Sequence, residues 1–407
     1  MEIRYSLRVS ELLTVEEAQA LVLARARVLP GERVPIADAL GRVPTEAVTA
    51  RVDLPPFDSS AMDGYAVRAA DLPGTLAIVD HSAAGLPAAQ GVGRGEAVEI
   101  STGGVVPPGA DAVIPVEYVV HHDNTIEVET RLEPGAHVRP RGGDVAVGME
   151  VVASGLRLGA SQLGAAAAAG IDAVLCARRP RVAVLATGTE LVPPGRPLRP
   201  GQIYDSNGLM LAAALTAAGA DIELLPAVAD DEAAHRAALE RGLAADVLVT
   251  SGGVSVGPHD LVRRIEAELG VEEVFWRVAM KPGKPVSFGV RGSTLVFGLP
   301  GNPVSSLVAS ELFVKPALRA LQGVREPLPR VATGRLARSL RRNDARDEYV
   351  RARSRPDGAT TELEPLVGQD SHMIVRAAAA DALVHVPRGD GEVAAGSPVG
   401  WIRLGEA

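Results

Sequence analysis

Cysteine is almost absent from this chain: Cys176 is the only one in 407 residues. Its solitude excludes an intrachain disulfide and any cysteine-cluster metal site. Aromatic residues are scarce as well, at 3%, so the cores have to be filled by Ala, Val and Leu. No apolar run is long enough to span a bilayer. The longest small-apolar stretch, Gly164 to Gly170, is far shorter than the ~20 residues required. The start, MEIRYSLRVSELL, lacks a charged segment followed by an apolar stretch of ~7–15 residues, so no signal peptide is expected. A soluble, cytoplasmic protein is the expectation. Lys and Arg form no block and the net charge is −9, which argues against nucleic acid or a membrane surface as partner. An anionic ligand then has to be held by local basic groups and backbone amides. The pattern G-x-x-x-x-G-K-[ST] is missing, which sets aside an ordinary P-loop NTPase. There is also no H-E-x-x-H, and no G-x-G-x-x-G opening a helix after a strand.

What is present is glycine (43), proline (30) and a hydrophobic share of 47%, a composition of several cores and many tight turns. At roughly 100–200 residues per domain, two to four domains are expected. Residues 14–29 read as a helix: Thr14 and Glu17 match a capping box, Val15, Ala18 and Val22 recur at helical spacing, and Pro30-Gly31 is the stop signal. From about 45 to 145 the pattern is one of short β-like runs broken by Gly/Pro turns. Residues 146–179 read as a linking element, with an Ala-rich helix capped at Ser161 and closed by Gly170. Over 180–323, strands and helices alternate at a spacing that predicts a parallel, doubly wound α/β domain with right-handed crossovers. After Pro327–Pro329, short strands and turns return through Leu404 and predict a second small β domain.

In an open α/β sheet the ligand binds at the carboxyl ends of the strands. Three loops are expected at that edge. SGGVSVG (Ser251–Gly257) follows a strand directly, and Gly252 and Gly253 let backbone N–H groups approach an anion. LPGNP (Leu299–Pro303) has Asn302 suited to an N-cap and Pro303 to the first helical position, so free N–H groups are expected to point at the same edge. TGTEL (Thr187–Leu191) contributes the carboxylate of Glu190. KPGKP (Lys281–Pro285) sets two lysines in a stiff turn between strands, and phosphate is the usual target of such point charges. Asp63, Asp144, Asp205 and Asp260 each read alone as caps or turn residues; together with Glu190 they are suited to a hard divalent cation such as Mg²⁺. Asp230 reads simply as a helix cap. His259 adjoins Asp260 and is a second-rank ligand candidate, while the adjacent His121 and His122 read as surface.

At these residues a resemblance becomes specific. DSSAMDGYAV (58–67), STGGVVPPGADAV (101–113), TGTEL (187–191), GQIYDSN (201–207), SGGVSVG (251–257), KPGKP (281–285) and GLPGNPVS (298–305) occur in the order and spacing of the molybdopterin molybdenumtransferases, the family that includes the E domain of gephyrin. The resemblance implies a homodimer of four-part chains. The parts are an elongated linking domain (1–45 plus 146–179), a β-rich domain (46–145), an α/β molybdopterin-binding domain (180–323) and a C-terminal β-barrel (324–407). It implies that Asp63, Thr102 and Asp144 supply one wall of a site shared between subunits. Glu190, Asp205, Ser251, Gly252, Gly253, Asp260, Lys281, Lys284, Pro300, Gly301 and Asn302 supply the other, with Ser371 contributed by the last domain. Asp63, Asp144, Glu190 and Asp260 are the catalytic candidates, and Glu190 and Asp260 the metal ligands.

The implied reaction is Mg²⁺-assisted hydrolysis of the phosphoanhydride of adenylylated molybdopterin, with molybdate captured by the dithiolene sulfurs of the pterin. Those sulfurs belong to the substrate, which suits a chain with one cysteine. Lys281 and Lys284 are assigned to molybdate or phosphate. Two departures from the family pattern stand out: Pro258 replaces the acid that often follows SGGVSVG, and Arg277 stands where many members have Lys. Two alternatives are a molybdopterin adenylyltransferase, whose fold resembles residues 180–323, and a catalytically silent scaffold module of the same fold.

Overall fold

The computed structural model describes residues 12–228, 231–253 and 261–405. The chain divides into two compact units, one of residues up to Glu32 together with Cys176 onward, the other of Arg33–Leu175.

The first unit is built on a six-stranded sheet. Its strands are β1 (Arg181–Thr187), β2 (Asp221–Val228), β3 (Val247–Ser251), β4 (Glu272–Trp276), β5 (Ser287–Arg291) and β6 (Thr294–Leu299), in the order β2-β1-β3-β6-β5-β4. β2, β1, β3 and β6 run parallel, as the alternation predicts. β5 runs antiparallel to both its neighbours, β6 and β4, a departure from the all-parallel expectation. The cause is the link between β5 and β6: only Gly292 and Ser293 join them, and a parallel return needs a crossover of about a dozen residues. Both faces of the sheet are covered. Val182 and Val184 of β1 enter the same core as the helix Asn207–Ala217, whereas Ala183 and Leu185 pack with Leu239 and Ile265 from the helices Glu232–Gly242 and Leu261–Glu268. Burial on both sides is why the run RVAVLAT is apolar without alternation. Asp231 caps the helix that follows β2, its carboxylate accepting from the Ala234 N–H at 2.8 Å; the neighbouring Asp230, read as the cap, lies outside the described residues.

The first helix carries the predicted box. Thr14 Oγ1 accepts from the Glu17 N–H at 3.1 Å, and Glu17 accepts from the Thr14 N–H at 2.8 Å. It covers only Val15–Leu23, well short of Pro30. Beyond it, Leu29 donates its N–H to Leu321 O and both Ala26 and Leu29 pack on the core, so tertiary contacts claim the segment that propensity assigned to the helix. The buried residues Val15, Ala18 and Val22 share that core with a helical stretch made of Pro303–Ala309, a π-helical turn Ser310–Val314 and Lys315–Leu321. Pro316 has no N–H to return and its ring crowds the preceding turn; the wider π turn just before it accommodates both.

After the sheet come β7 (Val331–Leu336), β8 (Asp347–Asp357), β9 (Thr360–Pro365), β10 (Ala382–Val386) and β11 (Pro398–Arg403). They pair as β8-β9-β7-β11-β10 and back to β8, a closed five-stranded barrel filled by Leu336, Val350, Leu363, Val384 and Trp401. The second unit has its own six-stranded sheet, in the order 112–115, 64–67, 96–100, 74–82, 125–128, 120–122, with an apolar cluster on each face. Its helix Ala160–Ala168 starts one residue before the expected cap: Ser161 is inside, and Gln162 accepts from the Gly159 N–H at 3.0 Å.

Candidate functional site

β1, β3 and β6 end side by side, and the loops that leave them line a cleft of ≈ 1060 Å³. Thr187, Gly188 and Glu190 come from the first loop, Ser251, Gly252 and Gly253 from the second, and Pro300, Gly301 and Asn302 from the third. Asp205, Asn207, Arg264 and His372 join them. The two glycines after β3 are obligatory. Their φ values are +97° and +68°, and a Cβ would meet Thr187 O at 2.5 Å in the first case and Val262 Cγ2 at 2.4 Å in the second.

Beneath this surface lies a polar tie. Ser251 is 2% exposed; its hydroxyl accepts from Asn207 Nδ2 at 2.9 Å and donates to Pro300 O at 3.2 Å. Asn207 also donates to Gly301 O at 2.7 Å. Ser251 therefore fixes the position of the LPGNP loop from below, and its hydroxyl is already engaged with the protein. Asn207 was not singled out from the sequence. Its only signal was its place two residues after Asp205 in GQIYDSN, and its buried Oδ1 has no protein partner among the described residues.

The carboxylates differ. Glu190 is exposed in the cleft, with its backbone carbonyl held by the Ile203 N–H at 2.9 Å. Asp205 accepts from the Gly208 N–H at 2.9 Å and so caps the following helix while lining the cleft. Asp260 and His259 lie outside the described residues. No three His, Cys, Asp or Glu side chains converge among the described residues. Glu190 and Asp205 nonetheless share one concave surface, and one or two carboxylates are what Mg²⁺ uses when phosphate and water complete its shell.

Asn302 stands at the start of its helix with Pro303 after it, as predicted, but its side chain makes no cap. Asn302 Nδ2 donates to Ser371 Oγ at 2.9 Å, and the Val304 N–H donates to Ser371 O at 3.0 Å. The expectation of free amides there is corrected: the loop carrying Ser371 takes one of them. That loop rests on Arg351, a fully buried side chain whose guanidinium donates to Gln369 Oε1 and to the carbonyls of Gly368, Asp370 and Met373 at 3.1–3.3 Å. Burial lowers its pKa from the usual arginine value. No local sequence signal marks it.

KPGKP joins two strands, as expected, but the strand before the turn does not belong to the α/β sheet. Met280–Lys281 leaves the α/β sheet and pairs in parallel with the start of β8. Neither Lys281 nor Lys284 lines the cleft; Pro285 does.

In the second unit Asp63 and Thr102 meet, Asp63 Oδ1 accepting from the Thr102 N–H at 2.7 Å. Ser60 and Gly103–Gly104 exchange backbone bonds beside them. Residues 59–60 pair with 138–139, and the Arg141 N–H donates to Asp58 at 2.7 Å. The motif of Asp63 is therefore laced both to that of Thr102 and to the loop holding the exposed Asp144.

Comparison with known proteins follows the same division. Residues 183–320 match the model described as "Probable molybdopterin binding domain". Residues 13–170 match the MoeA N-terminal region (domain I and II), and 333–404 the MoeA C-terminal region (domain IV). The chain is 37% identical to molybdopterin molybdenumtransferase 2 of Mycobacterium tuberculosis over 94% of its own length and 98% of that protein's. It is 35% identical to the molybdopterin molybdenumtransferase of Haemophilus influenzae, over 95% and 98%. The crystal structure of the molybdopterin biosynthesis MoeA protein from Pyrococcus horikosii superposes with a TM-score of 0.83 at 33% identity, covering 98% of this chain and all of that one. The α/β domain that carries the cleft is thus of the class described as a probable molybdopterin-binding domain. Within that class the chain belongs to the molybdopterin molybdenumtransferase family.

Proposed function

We propose that the chain inserts molybdenum into molybdopterin and that it acts on the adenylylated form. Water cleaves the phosphoanhydride, AMP leaves, and molybdate is taken up by the dithiolene sulfurs of the pterin. The observation that carries this proposal is the cleft itself. Glu190 and Asp205 line it together with Gly252, Gly253 and Gly301, and the chain aligns nearly end to end with the family. Matches on both sides of the α/β domain favour this activity over adenylylation, which needs only that domain.

The Gly252 N–H already donates to Leu299 O at 3.1 Å, so the proposed donors to phosphate are the N–H groups of Gly253 and Gly301. Mg²⁺ held by Glu190 and Asp260 against the substrate would neutralise charge developing on the bridging oxygen. Lys281 and Lys284, which do not line the cleft themselves but lead into Pro285, which does, are proposed to take the oxyanion beside it, with Ser371 assisting from the barrel side. The proposed working form is a cytoplasmic homodimer in which Asp63, Thr102 and Asp144 of one subunit complete the site of the other. No helix among the described residues is long and apolar enough to cross a membrane.

The test is AMP release from adenylylated molybdopterin with and without molybdate. Release that depends on molybdate is expected. Formation of adenylylated pterin from ATP would identify an adenylyltransferase, and binding without turnover a scaffold. In the same assay Glu190→Gln should lower the rate by about 100-fold or more, the usual cost of losing one group that stabilises transition-state charge, while pterin affinity changes little. A rate within threefold of the unsubstituted protein would remove Glu190 from the mechanism.

A further inference from the structure

Lys281, assigned to the oxyanion, already has an anion beside it. Its Nζ lies 2.9 Å from Glu348 Oε1. The backbone fixes that meeting: Met280 pairs with Asp347 and Lys281 with Glu348, and the Asp347 N–H donates to Ala279 O at 3.0 Å. The two partners are unequal. The Lys281 side chain is 48% exposed and that of Glu348 only 17%. The carboxylate is confined, while the ammonium has a flexible stem and three donors that turn readily to another acceptor.

We propose that Glu348 is a built-in counter-ion from which Lys281 must be drawn by the incoming oxyanion, so that this barrel residue sets how strongly molybdate is captured. The inference rests on the proposed role of Lys281 in oxyanion binding. The carboxylate offsets the lysine charge and gives the ammonium a partner at 2.9 Å. A dianion such as molybdate exceeds a single carboxylate in charge and displaces it, whereas a monoanion only matches it. Glu348 is a positioning residue in this scheme and touches no reacting atom.

The experiment measures molybdate binding to the full chain by equilibrium dialysis, alongside half-saturating molybdate and kcat in AMP release. Glu348→Gln keeps shape and an acceptor oxygen but removes the charge. It should tighten molybdate binding about threefold to fivefold, the scale of a partly exposed ion pair, without raising kcat. Glu348→Asp should bind molybdate as the unsubstituted protein does. In a Lys281→Met background the gain from Glu348→Gln should vanish, as a pairwise coupling requires. Unchanged or weaker binding in Glu348→Gln overturns the proposal. So does a gain that persists without Lys281, because it would then be a general field effect. If Lys281→Met alone leaves molybdate binding untouched, the role of the lysine itself fails, a result distinct from failure of the counter-ion.

Discussion

Lys315→Met should lower the melting temperature of the main unfolding transition by on the order of 10 °C. Lys315 and Glu311 form an ion pair at 2.6 Å inside the helical stretch that begins at the cleft, with side chains 2% and 6% exposed. Removing one partner of such a pair leaves a buried charge uncompensated and costs about 3–5 kcal/mol, and each kcal/mol is worth about 2–4 °C in a protein region of this size. Replacing both residues, with Glu311→Leu added, should recover most of the loss, since apolar groups of similar volume need no compensation. A scanning-calorimetry trace in which the single variant melts within 2–3 °C of the unsubstituted protein would show that the charge finds another route to solvation.

The pH dependence of that loss has a definite sign. Burial raises the Glu311 pKa above its usual carboxylate value, against the opposing pull of Lys315. A carboxyl raised in the folded state favours folding while protonated, and stability falls as pH rises from the unfolded value to the folded one. Without Lys315 the folded value climbs further, so the window extends to higher pH. The destabilisation caused by Lys315→Met should thus be smallest in acid, below the ordinary glutamate pKa, and should grow toward neutrality.

Local signals carried much of this architecture. The Thr14–Glu17 box starts its helix where the sequence places it, because capping uses residues three apart. The strand RVAVLAT and the glycines after β3 are legible for the same reason: a two-sided strand and a left-handed turn constrain their own residues. What could not be read is what depends on partners distant in the chain. The end of the first helix is decided by Leu321, and Lys281 by a glutamate 67 positions away. Ser251 illustrates the mixed case: its loop was recognisable, but whether its hydroxyl faces a ligand or the protein depends on Asn207 and Pro300. Asp205 likewise reads as a cap or a ligand, and the structure gives it the cap while leaving it in the cleft.

The proposed division of the site between subunits predicts a result that no single-subunit site can produce. Asp63→Ala and Glu190→Ala are each expected to abolish AMP release when present in both subunits. Asp63 lies in the unit Arg33–Leu175 and Glu190 in the other unit of the chain. An isologous dimer built as proposed has two composite sites, each taking one wall from either subunit. In a mixed dimer carrying one lesion per subunit, one site then receives both lesions and the other receives neither. Random pairing makes about half of the dimers mixed, so co-expression of the two variants should restore roughly a quarter of the unsubstituted sites. Were both walls supplied by the same subunit, every site would carry one lesion and activity would stay at zero. Differentially tagged subunits allow the mixed species to be purified, which raises the expected recovery to about half the sites of an unsubstituted dimer. Inactivity in that purified mixed dimer, with each tag verified, would reject the shared site.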